Sequence, residues 1–144
     1  MKTFTLDEAQ SLLPVVEALL NRALEAREAA GDLQEEMAAQ ARRVFVSGGM
    51  FIDLAVAQKR KITLEALVQR AREALEEIDA AGVQVKDLDT GLLDFPFVLD
   101  GETVLLCWKR GEGQIDFWHR MEDGFAGRQP IDARFHRTPP DKLH

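Results

Sequence analysis

An α+β fold follows from three features of this 144-residue chain. Apolar residues recur at helical spacing as far as Gly82, and the hydrophobic period then drops towards two. An Asp100-Gly101 pair, the strongest short hairpin signal, separates two runs rich in apolar and aromatic residues. The expected architecture is an N-terminal antiparallel helical layer packed on a small C-terminal antiparallel β-meander. The layer is expected to hold three to four helices, kinked at Pro14 and bent near Gly48-Gly49. The chain reads as a single domain over 1–144, helical over 5–82, β-meander over 83–119, and irregular loop and tail over 120–144.

Each element has a local cause. Thr5-Leu6-Asp7-Glu8 fits a capping box, with Phe4 before it as a hydrophobic staple. Leu12, Leu13, Val16, Leu19, Leu20, Ala23 and Leu24 form a helical stripe that Pro14 interrupts. Gly31-Asp32 reads as a stop followed by a new cap, and helical composition resumes from Leu33 to Val46. Ser47-Gly48-Gly49 breaks or bends that segment, and 51–61 is helix-compatible. Thr63 starts another helix, whose stripe runs through Leu64, Leu67, Val68, Ala71, Leu75 and Ile78 to Gly82. Val83 to Lys86 alternates as a strand does, 92–99 and 102–109 are the arms of the hairpin, and Gly111-Glu112 turns the chain into a third arm over 114–118. The tail, with Pro139-Pro140, reads as frayed.

Composition excludes several classes. The formal net charge of −7 disfavours nucleic acid as a partner, since phosphate binding needs a concentrated basic surface. No stretch reaches the roughly 18 apolar residues of a membrane span. A single cysteine makes no internal disulfide, which suits a reducing cytoplasm, and the N-terminus carries no signal pattern.

Strand parity locates a candidate site. A two-residue turn at Asp100-Gly101 sets Phe95 opposite Leu106 and Asp94 opposite Cys107; a turn at Gly111-Glu112 sets Cys107 opposite Asp116 and Leu105 opposite Trp118. Leu93, Phe95, Phe97, Val104, Leu106, Trp108, Ile115 and Phe117 then form an apolar face. Asp94, Cys107, Lys109, Asp116 and Trp118 form the other, expected to be the wet face of the sheet. No cofactor is expected from the sequence; were a divalent cation bound, Asp94, Asp116, His119 and Glu122 are its candidate ligands, although no histidine pair or Cys-x-x-Cys spacing supports it. Asp94, Trp118 and Arg128 are the candidate ligand-binding residues: Trp118 as a stacking wall, Arg128 as a planar fork for an anion or a lock on the Gly124-Phe125-Ala126-Gly127 loop. Cys107 is a poor nucleophile beside carboxylates, whose charge disfavours the thiolate.

Phe4-Thr5-Leu6-Asp7-Glu8-Ala9, Leu12-Leu13-Pro14, Gly91-Leu92-Leu93-Asp94-Phe95-Pro96, Leu106-Cys107-Trp108-Lys109 and Trp118-His119 to Arg128 together resemble the DUF2203 family of uncharacterised bacterial proteins, over residues 4 to about 131. The resemblance implies an origin and a fold but no activity. The functional expectation is a non-enzymatic ligand- or partner-binding module in the cytoplasm, self-associating as a dimer through an apolar helical strip or docking a protein partner, without nucleic acid or membrane. The alternative is a metal-assisted hydrolase using the carboxylate/histidine site on the sheet.

Overall fold

The first eight residues show how local chemistry starts the structure. The Thr5 amide donates to Glu8 Oε1 at 2.7 Å and the Glu8 amide donates to Thr5 Oγ1 at 3.1 Å, a closed capping box. Phe4 is buried edge-on against Phe95, and its amide donates to the Pro96 carbonyl. From this cap, α1 runs over Leu6–Val46.

The computed structural model describes residues 1–46, 48 and 53–137. Among the described residues two long helices, not three to four, precede the sheet: α1 and α2, Leu54–Ala80. Pro14 sits inside α1 without dividing it, because a proline removes only one backbone bond. The expected stop at Gly31-Asp32 is also absent. A glycine costs a helix about 1 kcal/mol, too little to end one this long. A Cβ built on Gly31 meets nothing within 4 Å. Gly31→Ala is therefore expected to raise stability by about 0.5–1 kcal/mol, read as a higher urea midpoint with an unchanged m-value. The start expected at Thr63 is missing for a different reason: its hydroxyl turns back to the Lys59 carbonyl at 2.9 Å, and the helix is capped upstream by Asp53 Oδ1, which accepts from the amides of Ala55 and Val56. Of the expected bend, Ser47 and Gly49 lie outside the described residues, as do Phe51, Pro139, Pro140 and His144. No helix among the described residues is long and apolar enough to cross a membrane.

The described chain forms two compact units, residues 1–20 with 76–144 and residues 21–75. In the first, a five-stranded antiparallel meander holds β1 Gln84–Asp87, β2 Leu92–Leu99, β3 Glu102–Lys109, β4 Phe117–Arg120 and β5 Gln129–Pro130 in sequential order. Asp100 and Gly101, with φ of 50° and 84°, make the two-residue turn and bring Asp94 opposite Cys107 as expected. Gly91 allows the chain into β2: its φ is +73°, and a Cβ there would lie 2.5 Å from Arg110 Cβ. Leu93, Phe95, Phe97, Val104, Leu106, Trp108 and Trp118 share one buried face. Ala9, Leu13, Val16 and Leu20 of α1 and Ile78 of α2 are buried in the same unit, and Gln10 Oε1 accepts the Ile115 amide at 3.0 Å.

The third arm departs from expectation by one residue. Cys107 faces Phe117, Leu106 faces Trp118 and Leu105 faces His119. No tight hairpin forms at Gly111-Glu112, because Glu112 folds back on β3: its carboxylate takes the Lys109 amide at 2.6 Å and its carbonyl takes the Trp108 indole N–H at 3.0 Å. Pairing resumes only at Phe117. The slip exchanges faces along β4, since side chains alternate. Trp118 belongs to the apolar core and His119 to the opposite face, the reverse of the expected assignment for Trp118; Phe117 leaves the apolar face and Asp116 is an exposed residue hydrogen-bonded to Gln114. The described residues after β4, 121–137, hold more regular structure than an irregular loop. They add β5 and two short 3-10 turns, Phe125–Gly127 and Ala133–His136, the second burying Phe135 against Phe97 and Trp118.

Candidate functional site

The face of the sheet opposite the apolar core carries Asp94 on β2, Cys107 and Leu105 on β3, and Phe117 and His119 on β4. It was expected to be wet, and it is not. The segment after β4 folds back over it. Phe125 and Arg128 come down on this side, with the Arg128 guanidinium stacked 4.1 Å from the Phe117 ring centroid and 4.6 Å from that of Phe125. Beneath this flap lies a pocket of about 300 Å³ lined by Lys86, Asp94, Cys107, His119, Glu122 and Phe125 among others.

Asp94, Cys107 and His119 converge at the pocket floor. Asp94 is 1% and His119 4% exposed, and Cys107 is buried. One donor atom from each lies within 4.8 Å of the other two. Parity explains the convergence: Asp94 and Cys107 are directly opposed, and His119 sits on the same face, diagonal to Cys107. His119 Nε2 lies 3.1 and 3.2 Å from the two Asp94 carboxylate oxygens, and Nδ1 lies 2.8 Å from the Arg120 carbonyl.

These contacts fix where protons must be. A carbonyl can only accept, so Nδ1 carries hydrogen and donates to Arg120. Nε2 facing a carboxylate then requires one further proton shared between His119 and Asp94. Burial pushes the Asp94 carboxyl above its ordinary value, against the pull of His119. Burial and then the Asp94 charge push the Cys107 thiol up to about 12, so the S–H stays protonated and donates to Asp94. Besides the hydrogen on Nδ1, the cluster without a cation thus holds two protons, one on the thiol and one shared by His119 and Asp94, on largely buried side chains. Cys107 is no nucleophile in this state.

Arg128 and Glu112 lock the flap. Arg128 Nη2 donates to Glu112 Oε1 at 2.7 Å and to the Cys107 carbonyl at 3.2 Å, which ties the loop to β3 directly behind the cluster. Its Nε is buried without a hydrogen-bond partner. Burial resists ionisation of Glu112, but hydrogen bonds from Arg128 and the Lys109 amide outweigh it and hold the carboxyl below its ordinary 4.5. With the folded value below the unfolded one, the stabilisation is complete above about pH 4.5 and is lost as pH falls through the folded value. Glu112→Gln is expected to cost about 1–2 kcal/mol at pH 7. The gap from wild type should narrow steadily on acidification below pH 4.5. Urea unfolding of both proteins across that range measures it, and a gap independent of pH would show that the charge on Glu112 carries no stability.

Of the residues singled out from sequence, Asp94 and His119 meet at the pocket floor, and exposed Glu122 lines the pocket wall. Arg128 stands behind the cluster, engaged with Glu112. Trp118 is in the core, 1% exposed, and Asp116 is away from the cluster on the surface. The donor that sequence reasoning left out of the metal set is Cys107. Its pairing with Asp94 was legible, but only the register of β4 brings an imidazole to the same place. Lys86 and Glu112 were also missed; neither has a spacing signal, because both act from turns or an edge strand.

Fold and site together define an α+β protein with a helical hairpin, a five-stranded meander and a buried carboxylate/thiol/imidazole cluster beneath a loop flap. The chain belongs to the DUF2203 family, described as an uncharacterized conserved protein, whose family model matches residues 2–131. No curated protein and no solved structure matches it.

Proposed function

We propose that this protein is a ligand-binding module that holds a zinc-class divalent cation through Asp94, Cys107 Sγ and His119 Nε2, and presents that cation to a small polar ligand in the flap pocket. The convergence of these three buried donors from three adjacent strands carries the reading. A carboxylate, a thiolate and an imidazole form a borderline-soft set, which selects zinc and its first-row neighbours over magnesium or calcium. Charge balance supports it as well. A dication replaces the thiol proton and the proton shared by Asp94 and His119, so the buried cluster gains a metal without gaining net charge. His119 is already oriented as metal-bound histidines are, its second nitrogen donating to a backbone carbonyl. Three protein donors leave one tetrahedral position open towards the pocket, the pattern of reactive rather than purely structural zinc sites.

That open position favours one second reading, metal-assisted hydrolysis, with Glu122 of the pocket wall as the carboxylate available to accept a proton. A thiolate ligand suits a reducing compartment such as the cytoplasm, and the net charge of −7 favours a small ligand or a protein over nucleic acid.

Elemental analysis of the purified full chain tests the proposal, followed by titration of the metal-free protein with Co²⁺. We expect close to one equivalent of zinc-class metal, and a thiolate-to-cobalt charge-transfer band that Cys107→Ser abolishes without unfolding the protein. Folded protein with neither metal nor band would remove the reading. A metal that binds without a thiolate band in wild type, or with undiminished affinity in Cys107→Ser, would place the ion elsewhere.

A further inference from the structure

The unit formed by residues 21–75 holds two helical arms, parts of α1 and α2, with an ion pair between Arg60 and Glu36 at 3.4 Å linking them. Among its described residues the buried ones are Ala23, Ala26, Ala30 and Ala74. Between Gly31 and Glu73 no described residue is buried. Apolar side chains are nonetheless present along this length: Phe45 is 85%, Leu54 76%, Ile62 56% and Val68 41% exposed. Near the end of the arms, Met37, Ala41, Val44 and Phe45 of α1 and Ala57 and Arg60 of α2 line an open groove of about 670 Å³, apolar over most of its wall. An isolated pair of helices is marginal in water, and helices of this length gain stability from burying a face. A run of exposed large apolar side chains along both arms suits a surface that is covered by a partner.

Charge identifies the cover. Residues 37–62 carry Arg42, Arg43, Lys59, Arg60 and Lys61 against Asp53 alone. Residues 21–36 are the reverse, with Glu25, Glu28, Asp32, Glu35 and Glu36 against Arg22 and Arg27. Helical geometry puts both signs on one face of α1: Arg43 follows Glu25 by 18 residues, about five full turns. A second hairpin laid antiparallel sets the basic end of each copy against the acidic stretch of the other. The same operation makes both contacts, so the pair closes on a two-fold axis and stops at two.

We propose that the helical arms 21–46 and 54–75 form a homodimer interface in which two hairpins pack antiparallel as a four-helix bundle. The size is adequate. Two helices about 10 Å wide and roughly 38 Å long present some 760 Å² per copy, close to the ~800 Å² per partner of a stable interface. An anionic bilayer also complements a basic, apolar hairpin end. It does not account for the unburied residues further along, where α1 turns acidic and a bilayer would repel it. A second copy covers both halves. This inference is independent of the metal site, whose residues all lie in the other unit.

Light scattering on the full chain after size exclusion tests it. Wild type is expected to run at twice its 16.2 kDa mass. Arg43→Glu with Lys59→Glu sets acid against acid at both contacts and is expected to weaken the dimer at least 10-fold. Adding Glu25→Lys and Asp32→Lys to the same chain is expected to restore it, because both contacts again pair opposite charges. In a parallel bundle like meets like, so the four-fold variant would fail to recover, and that failure overturns the arrangement. A wild-type monomer at 100 µM overturns the interface, and a monomer that sediments with phosphatidylserine vesicles assigns the surface to lipid instead. Circular dichroism on each variant separates lost association from lost helix.

Discussion

Asp94→Asn is expected to leave the fold standing while emptying the cluster of metal, and Asp94→Ala to cost about 2–4 kcal/mol of stability outright. The difference follows from the protons. The Arg120 carbonyl holds hydrogen on His119 Nδ1, so a neutral imidazole offers Nε2 as an acceptor. An asparagine amide at position 94 donates to that nitrogen, and its carbonyl accepts the Cys107 S–H. Both buried partners stay satisfied, and the expected cost is about 1 kcal/mol or less. Alanine satisfies neither. It leaves a largely buried imidazole nitrogen and thiol without their protein partner, and enlarges the pocket floor. For a cation the order changes, because an amide brings no charge and is a weak ligand. Asp94→Asn is expected to lose zinc affinity by at least ~100-fold, as large as the strongest effects of altering a ligand's supporting shell. Chemical denaturation of the metal-free proteins gives the first quantity, and competition with a chromophoric chelator gives the second. Unchanged zinc affinity in Asp94→Asn would exclude the carboxylate as a ligand. Equal destabilisation by both substitutions would show that the charge on Asp94, not its hydrogen bonding, supports the apo fold.

Much of this fold was legible because it rests on local signals. Thr5 and Glu8 form the capping box their spacing announces, and Asp100-Gly101 sets the β2–β3 register, which fixes the Asp94–Cys107 pair. The helix breaks inferred from Gly31-Asp32 and Thr63 did not form. Single residues there cost about 1 kcal/mol or less, and a long helix tolerates that. The β4 register was not legible, because it depends on Glu112 closing on the Lys109 amide and on Arg128, 16 residues further along. No pattern in residues 110–116 announces that contact. The wet face failed for a related reason. Alternation correctly placed Asp94 and Cys107 opposite the apolar core, but strand periodicity says nothing about a loop that later covers the sheet. The Phe125 and Arg128 cover turned a polar surface into a buried donor set. Two of the three proposed donors, Asp94 and His119, were therefore named as metal ligands from residue type and position. The place of the thiol opposite Asp94 was legible too, but its meeting with His119 needed the β4 register.

That one-residue shift can be tested at Trp118. In the register expected from sequence its indole lies on the exposed face, where substitution costs within about 0.5 kcal/mol. In the observed register it is 1% exposed, packed 5.3 Å centroid to centroid from Phe135, with its N–H donating to the Pro130 carbonyl at 3.2 Å. Trp118→Ala removes that volume from the core, breaks the side-chain hydrogen bond from β4 to β5, and leaves Phe135 with Phe97 but without the Trp118 ring. The expected cost is about 3–5 kcal/mol. Trp118→Phe keeps the ring contact but loses the N–H, at about 1–2 kcal/mol. Neither substitution touches a donor of the cluster, because alternation along β4 points position 119, not 118, towards it. Under conditions where Trp118→Phe is folded, its zinc affinity should match wild type, while His119→Ala, one residue on, should lose it. A near-neutral Trp118→Ala, or a Trp118→Phe that releases metal, would move the tryptophan to the site face and return β4 to the register of a two-residue turn.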